Sequence, residues 1–145
     1  MILFSSALEL EKNNVNKMNN LIVDATKDKI FLTHIVDKNI YTCSHENSKI
    51  NFEKLMILIN DFLGRNKSSL SSITAIYVNR GPGSFAGIRN SLATIKALFL
   101  TKKINYYCFS FDDFKESVTA KYCDVPQLCE KYKIKKNLIN PIYLS

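Results

Sequence analysis

One short run of the chain reads RGPGSFAGIR, from Arg80 to Arg89, and combines glycines, a serine and two arginines. Gly81 and Gly83 permit backbone angles that other residues avoid, and Ser84 is a natural N-cap for a helix that follows it. A turn of this kind presents free N–H groups and the positive end of a helix, which together attract an anion. The residues therefore allow a phosphate or carboxylate site, with Arg80 or Arg89 as its charge partner.

The same run also fits a purely structural role. Pro82 stiffens the turn, and the glycines can serve only to fit a tight strand-to-helix connection against the sheet. The run is not a Walker A loop, because the G-K-[ST] ending is missing and Arg89 stands where no P-loop lysine would be. Taken alone, these residues leave the anion-binding and the structural interpretation open.

Catalytic and metal-binding sets are not indicated by the residue types and their spacing. The two histidines and four cysteines lack the spacing of zinc ligands, and no Cys–His or Ser–His–carboxylate arrangement is suggested. Asp24 has no obvious second carboxylate with which to share a divalent ion, and Lys27 beside it would weaken such binding. We therefore predict a strand-end role for Asp24, free thiols, and a non-catalytic protein without a metal or cofactor of its own.

Composition and length indicate one folded domain. The chain has 145 residues, of which 46% are hydrophobic and 23% charged, the balance of a globular protein. Its apolar runs are far shorter than the roughly 18 residues of a membrane span, and its start lacks the basic leader of a secretory signal, so we expect a cytoplasmic protein. The net charge of +7 comes from scattered lysines, which argues against a direct RNA-binding module.

Apolar periodicity predicts the elements that must position the glycine-rich run. We expect a three-stranded antiparallel meander, then two helices that alternate with two further strands. The predicted strands cover residues 20–24, 30–36, 40–44, 73–78 and 105–109, and the predicted helices cover 51–63 and 85–100. This α/β order, βββαβαβ followed by C-terminal helices, matches one half of the ribonuclease H-like, actin-like fold.

Local signals predict where the helices begin and end. Asn51 is expected to cap the first helix, and Gly64 is expected to stop it. Ser110 and Asp113 form an S-x-x-D capping box for a helix that should run to about residue 122. Pro126 is expected to open a short helix through residue 133, and the closing NPIYLS is expected to form a strand end.

The second long helix carries two stripes of side chains. One stripe has the spacing of a core face and contains Phe85, Ile88, Leu92, Ile95 and Phe99. The other contains only small residues, Ala86, Ala93 and Ala97, and small side chains let another backbone approach closely. This second stripe can pack on a partner helix or on the protein's own sheet.

The run RGPGSFAGIR closely resembles the R-G-P-G-S-F-T-G-[IV]-R signature of the TsaB (YeaZ) family, with Ala86 in place of the usual threonine. The preceding LSSITAIYVN and the following NSLATIKALFL resemble the strand and the Ala-rich helix that flank that signature. Three other segments, MNNLIVDATKD, NFEKLMILI and NPIYLS, resemble the family's opening strand, its H-S-E-x-L-x-P-x-I helix and its P-x-Y-L-R ending.

The resemblance covers residues 18 to about 114 and the last few residues, which leaves too little chain for the family's second lobe. We therefore expect a reduced form of the family. Its predicted parts are a disordered extension over residues 1–17, an N-terminal actin-like domain over 18–123, and a short remnant of the C-terminal region over 124–145.

The resemblance implies a role in making threonylcarbamoyladenosine in transfer RNA, and not the protease activity of an old family label. A TsaB protein pairs with the catalytic subunit TsaD and works with the ATPase TsaE. ATP and magnesium would therefore bind through the complex, and tRNA would be contacted indirectly. A homodimer is also possible. The signature loop would comprise Arg80, Gly81, Pro82, Gly83, Ser84, Phe85, Gly87 and Arg89. The partner interface would comprise Phe52, Leu55, Met56, Ile59, Ala86, Asn90, Ala93 and Ala97.

An alternative from another class is an actin-like ATPase half that dimerises to complete a nucleotide site. In that case the GPGS turn would bind phosphate and Asp24 would hold magnesium. Lys27 and the missing lobe speak against this alternative, because they remove the usual second wall of such a cleft.

Overall fold

The structure is a computed structural model that describes residues 18–143. The extension predicted over residues 1–17 lies outside the described residues, as do the last two positions of the predicted C-terminal remnant. The fold below therefore refers to the remaining part of the chain.

A five-stranded mixed sheet, in the order β3-β2-β1-β4-β5, forms the centre of the protein. The first three strands pair as an antiparallel meander, and β4 and β5 join parallel to β1. The predicted strands and their order are confirmed, because each strand alternates or is continuously apolar between polar turns. The strands are β1 Asn19–Asp24, β2 Lys29–Val36, β3 Asn39–Glu46, β4 Ala75–Asn79 and β5 Asn105–Phe109.

Helices and turns cover both faces of this sheet. The helices are α1 Lys49–Glu53, α2 Leu55–Arg65, α3 Phe85–Lys102 and α4 Val125–Lys131. One face of the sheet packs against α2 and α3, whose buried residues share a core with Leu21 and Ile76. The other face packs against α4 and the turns before it, where Phe114 and Val125 contact Ile22 and Phe109.

The prediction of one continuous helix over residues 51–63, capped by Asn51, is wrong. The chain forms α1 and α2 with a break at Lys54, which leaves helical geometry at φ −100° and ψ 8°. Ser48 caps α1, since its side chain accepts a hydrogen bond from the Asn51 N–H at 3.3 Å. Asn51 instead donates from its own side chain to the Glu46 carbonyl at 2.7 Å.

The predicted stop at Gly64 is also wrong. Helix α2 continues through Arg65, and the left-handed residue that follows it is Lys67, at φ 59°. The N–H groups of Asn66 and Lys67 close the last turn on the carbonyls of Phe62 and Gly64. A lysine can take the left-handed position at a modest cost, so the glycine was not required there.

The capping box at Ser110 and Asp113 is confirmed, but the helix predicted to follow it is wrong. The box closes only a 3₁₀ turn, Phe111–Asp113, and turns lead on to Asp124. This segment lies across the sheet because Phe114 is buried and Asp113 is drawn to Arg80. The helix predicted from Pro126 is confirmed as α4, which begins one residue earlier and ends at Lys131.

Two predictions near the chain's closing segment need correction. Residues 140–143 are not a strand, although the Ile142 N–H donates to the Arg80 carbonyl at 2.7 Å. Phe85, predicted in the core, is 55% exposed and contacts the ring of Tyr143 at a centroid distance of 4.7 Å. Phe85 is the first residue of α3 and therefore lies beyond the edge of the sheet that the rest of the helix covers.

A histidine is fully buried between β2 and the end of α2. The Nε2 atom of His34 lies 2.7 Å from Asn19 Oδ1, and its Nδ1 atom lies 3.2 Å from Asn66 Nδ2. An amide oxygen accepts and an amide nitrogen donates, so the network assigns the neutral imidazole with its proton on Nε2. Burial lowers the pKa of His34, because a charged ring would lose its hydration there.

This environment makes stability depend on pH. The neutral ring stabilises the fold fully above the unfolded-state pKa of about 6.5. As pH falls below that value the unfolded chain takes up a proton that the folded chain excludes, so stability falls by up to about 1.4 kcal/mol per pH unit. Urea unfolding between about pH 7 and pH 5 should show that the free energy of unfolding falls less steeply with falling pH for His34→Gln than for the wild type. His45→Gln, at the chain's other histidine, should keep the wild-type slope, and equal slopes in all three proteins would contradict this assignment.

Candidate functional site

The glycine-rich run forms the connection from β4 to α3, as predicted. The Gly81 N–H donates to Asn79 Oδ1 at 2.9 Å, which fixes the start of the turn. Ser84 is the N-cap of α3, and its hydroxyl oxygen accepts from the Gly87 N–H at 3.2 Å. The Ser84 N–H donates in turn to the Thr26 carbonyl at 2.8 Å, so the loop is bound to the turn after β1.

Each of the three glycines of the run permits a close approach that a side chain would block. Gly81 has φ 113°, in the region that favours glycine, and a Cβ atom there would overlap the carbonyl oxygen of Ile142. A Cβ atom at Gly87 would overlap the carbonyl oxygen of Ala25, in the turn after β1. A Cβ atom at Gly83 would likewise overlap the carbonyl oxygen of Thr26, so all three positions are explained by the packing of the chain's own backbone.

The two arginines of the run have different environments. Arg80 forms an ion pair with Asp113 at 2.6 Å and also donates to the carbonyl of Asn140 at 3.1 Å. It thus joins the signature loop to the turn after β5 and to the closing segment. Arg89 is exposed on α3. Since Arg80 is occupied by a carboxylate, the geometry favours the structural interpretation of the loop.

Asp24 is completely buried at the carboxyl end of β1, where its side chain accepts four hydrogen bonds. Oδ1 accepts from the N–H and the hydroxyl of Thr26, at 2.9 and 2.7 Å. Oδ2 accepts from Asn79 Nδ2 at 3.0 Å and from the Tyr122 hydroxyl at 2.6 Å. Burial, and next the Asp24 carboxylate, raise the pKa of Tyr122, so the phenol remains a donor. Both oxygens are engaged by protein donors, so the residues present do not fit a magnesium ion at Asp24.

A cavity of about 590 Å³ lies above this network, at the carboxyl ends of β1, β4 and β5. It is bounded by the Gly81–Pro82 turn on one side and by residues of the segment 110–122 on the other. Its lining contains two lysines, Lys27 and Lys121, one carboxylate, Asp112, and a mixture of polar and apolar residues that includes Ser117 and Phe111. Such a lining is compatible with a small anionic molecule.

The predicted partner-interface residues divide into two groups. Leu55 and Ile59 are buried against the sheet, at 1% and 0% exposure, and we correct their assignment to the core because the inner stripe of α2 covers the sheet. Phe52 and Met56 are partly buried against the same core. Exposed or half-exposed positions form one line along α3: Ala86, Asn90, Ala93 and Ala97.

Sequence reasoning missed several residues of these sites. Asn79 directly precedes the signature, and its amide joins Gly81 to Asp24, a role that a polar residue at the end of a buried strand could have suggested. The hydrogen bond from Tyr122 to Asp24 could not be predicted from local sequence, because 98 residues separate the two. Leu100 was also missed as a surface residue, since its apolar side chain lies exposed on the outer face of α3.

The four cysteines are free thiols at separate places in the described chain. Burial raises the pKa of Cys108 to about 11 and that of Cys129 to about 12, so neither is a reactive thiolate at neutral pH. Among residues 18–143, no cluster of three or more His, Cys, Asp and Glu side chains could hold a metal ion. The helices of this part of the chain are all too short or too polar to cross a membrane.

Comparison with known proteins finds similarity to one family model and to curated relatives. The family model described as "TsaD: tRNA N6-adenosine threonylcarbamoyltransferase" matches residues 45–110. A curated relative named tRNA threonylcarbamoyladenosine biosynthesis protein TsaB, from Buchnera aphidicola subsp. Baizongia pistaciae, is 34% identical over 77 residues, which cover 44% of this chain and 35% of the relative. A relative of the same name from Buchnera aphidicola subsp. Schizaphis graminum is 29% identical over 90 residues, which cover 62% of this chain and 43% of the relative.

The solved structure of YeaZ from Pseudomonas aeruginosa has the same fold, with a TM-score of 0.59 at 19% sequence identity over 64% of this chain and 44% of that chain. The predicted fold, one half of an actin-like architecture, is thereby confirmed. The chain spans less than half the length of the curated relatives it matches. The chain is thus similar in part of its sequence to proteins named TsaB, and it shares the fold of YeaZ.

Proposed function

We propose that this protein acts in tRNA threonylcarbamoyladenosine biosynthesis as a non-catalytic subunit that docks on a TsaD-like catalytic subunit. The names of the relatives support the pathway, and the chain's short coverage of those relatives makes the role a proposal. A TsaE-like ATPase would complete the assembly. In this scheme tRNA, ATP and magnesium reach the complex through the partner subunits.

The observation that carries the docking role is an outer surface on α2 and α3. Both helices bury their inner stripes on the same face of the sheet, so their outer sides point away from it together. We call this outer surface the partner face. It consists of Ile57, Ala86, Asn90, Ala93, Ala97 and Leu100.

The chemistry of the partner face suits a helical partner. Ile57 and Leu100 are 57% and 59% exposed, so both offer apolar surface to a partner. Ala86, Asn90, Ala93 and Ala97 have the spacing of one helix face, and three of the four carry only a methyl group. Another helix can therefore approach the α3 backbone closely, with the larger apolar side chains at the margin of the contact.

Ala93→Glu is expected to weaken binding to a TsaD-like subunit by at least about tenfold, because it places a carboxylate without a partner in the middle of the contact. Ala93 is exposed, so the substitution leaves the chain's own core unchanged. Co-purification and calorimetry with the TsaD-like protein of the same organism would measure the binding. A threonylcarbamoyladenosine assay with and without the chain would measure its contribution to modification.

Ser71→Glu provides a matched control, because Ser71 is exposed in the Leu70–Ser72 turn, outside the partner face, and the charge change is the same. It should bind as the wild type does. Equal affinity of the wild type and Ala93→Glu would place the contact elsewhere. A wild-type chain that neither binds nor stimulates the TsaD-like subunit would contradict the function itself.

A nucleotide-binding function is the second candidate, and the observation that favours it is the pair of lysines in the cavity beside the signature loop. Lys27 and Lys121 can contact phosphate oxygens there. The sealed carboxylate of Asp24 argues against magnesium coordination at the same place. Retention of ATP by the isolated chain, together with no affinity for a TsaD-like subunit, would put this candidate first.

A further inference from the structure

One edge of the sheet is formed by the starts of β1, β4 and β5. The pairing register places Asn20, Ala75 and Asn105 side by side, so these three parallel strands begin at the same edge. The turn from β2 to β3 lies there as well, because the N–H of Asp37 donates to the Met18 carbonyl at 3.0 Å. Segments that are far apart in the sequence therefore meet at this edge.

Five lysines lie at or beside this edge, and we call them the basic edge. Lys38 lies in the turn from β2 to β3, and Lys67 lies in the loop that leads from α2 to β4. Lys102 and Lys103 close α3 directly before β5, and Lys136 forms a backbone bridge to β5. Lysines that are scattered in the sequence thus converge in the fold.

The side chains of the basic edge carry an excess of positive charge. All five residues are exposed, and neither ion pair of residues 18–143 involves any of them. Asp37 is the acidic residue of the turn that contains the first of them. At the opposite edge the charges are mixed, since Asp28 lies between Lys27 and Lys29, and Arg80 is paired with a carboxylate. The net charge of +7 is therefore unevenly distributed over the molecule.

Helix ends explain only part of this arrangement. The negative end of the α3 dipole favours Lys102 and Lys103, but Lys38 and Lys136 lie at no helix end. Lys67 and Lys103 also have φ values of 59° and 60°, a conformation that glycine adopts at lower cost. Both positions thus carry a positive charge where a neutral residue would cost less backbone energy.

A cavity of about 450 Å³ separates the end of α3 from the loop that leads into β4. Its exposed lining residues are all polar, namely Ser71, Thr74, Lys102 and Lys103, and its apolar lining residues are buried. Hydroxyl and ammonium groups both donate hydrogen bonds to phosphate oxygen atoms. A membrane-surface site would instead present large apolar side chains beside its lysines. This chemistry favours the phosphates of a nucleic acid over a lipid surface.

We propose that the basic edge binds the phosphate backbone of RNA, so that this chain contacts tRNA itself. The inference rests on the proposed function, in which the complex modifies tRNA, and adds a direct contact to it. The edge crosses five strands, a distance of about 19 Å at the usual strand spacing. A nucleic-acid duplex of that length carries on the order of ten phosphate charges, enough to engage every lysine. Lys102 follows Leu100 of the partner face by two positions, so the bound RNA lies beside the docked catalytic subunit.

Fluorescence anisotropy of an unmodified tRNA transcript, titrated with the full isolated chain at several salt concentrations, tests the proposal. We expect a Kd on the order of 10 μM at about 100 mM salt. The logarithm of the binding constant should fall with the logarithm of the salt concentration with a slope of about −3 to −5. The double variant Lys102→Glu with Lys103→Glu should weaken binding by at least about tenfold and reduce the slope by about 2.

Lys49→Glu with Lys54→Glu is the matched control. Both lysines are exposed at the two ends of α1, which follows β3 at the opposite edge of the sheet, and the change in net charge is the same. This variant should bind the tRNA within about threefold of the wild type. Equal weakening by the two double variants would show that binding follows net charge and not a site, and would overturn the proposal. A wild-type chain without affinity for the tRNA would overturn it as well.

Acetylation of lysines, read by mass spectrometry, tests the site without any substitution. The tRNA should protect Lys38, Lys67 and Lys102 from the reagent and leave Lys49 accessible. A wild-type chain that binds vesicles containing phosphatidylserine but not the tRNA would overturn the proposal in favour of a membrane surface. A chain that docks on the TsaD-like subunit without binding tRNA would overturn this inference alone and leave the proposed function in place.

Discussion

Gly87→Ala is expected to destabilise the fold by about 3 kcal/mol, near the upper end for a small-to-large change in a packed site. Its Cα faces the carbonyl oxygen of Ala25, and an added Cβ would overlap that oxygen. The obstacle is backbone, so no side-chain rotation can relieve it. Without this contact the substitution would stabilise α3, because alanine is the better helix former.

Gly64→Ala is the matched control for this prediction. Gly64 also lies within a helix, and a Cβ atom there would meet nothing within 4 Å. The substitution should raise stability by about 0.5–1 kcal/mol. Urea and thermal unfolding of both variants would measure the difference, with a midpoint roughly 10 °C lower for Gly87→Ala than for the wild type. Two variants that both gain stability would show that Ala25 and α3 can separate at little cost.

The outcome at Gly87 bears on the meaning of the signature loop. If the glycine is needed for packing against the turn after β1, the loop's sequence is explained without a ligand. The ion pair of Arg80 with Asp113 and the hydrogen bond from Gly81 to Asn79 support that explanation. The role of the loop in function would then be to fix the start of α3, and with it the orientation of the partner face.

The sheet could be predicted from sequence because its signals are local. Each strand is an apolar or alternating segment between polar turns, and the order of strands and helices limits the ways in which they can pair. Ser84 could be predicted as the cap of α3, since a serine before an apolar helix has a direct local partner in the backbone.

Other features could not be predicted because they depend on competition among local signals or on distant contacts. Ser48 and Asn51 can both cap a helix, and only the hydrogen bond from Asn51 to Glu46 decides between them. The capping box at Ser110 is present, yet Asp113 also binds Arg80 and the following segment turns across the sheet.

The candidate partner face shows the same limit. The spacing of α2 identified its apolar residues but could not show which of them the sheet covers. Leu55 and Ile59 are covered, whereas Ile57, which lies between them in sequence, is exposed. The test of the interface therefore belongs on α3 and at Ile57, and not at Leu55, where a charge would disrupt the core.

Asp24→Ala is expected to destabilise the fold by roughly 3–5 kcal/mol, because it leaves several buried donors without an acceptor at once. The donors belong to Thr26, Asn79 and Tyr122. Asn79 cannot turn its amide to compensate, since its Oδ1 already accepts from the Gly81 N–H. The loss should therefore extend from the end of β1 to the signature loop.

Tyr122→Phe separates the parts of this network. It removes one of the four hydrogen bonds and keeps the ring, which packs near Phe31 and Phe111, so it should cost only about 1–3 kcal/mol. Urea unfolding should show lower midpoints with unchanged slopes for both single variants. The double variant should be less destabilised than the sum of the two, because Asp24→Ala already removes the acceptor of the Tyr122 hydroxyl. Strictly additive losses would show that the two side chains act independently.

An Asp24→Ala chain whose free energy of unfolding lies within about 1 kcal/mol of the wild-type value would mean that water can replace the carboxylate. In that case the carboxyl end of β1 would be open to solvent, and Asp24 would regain its place as a candidate ligand for a metal ion.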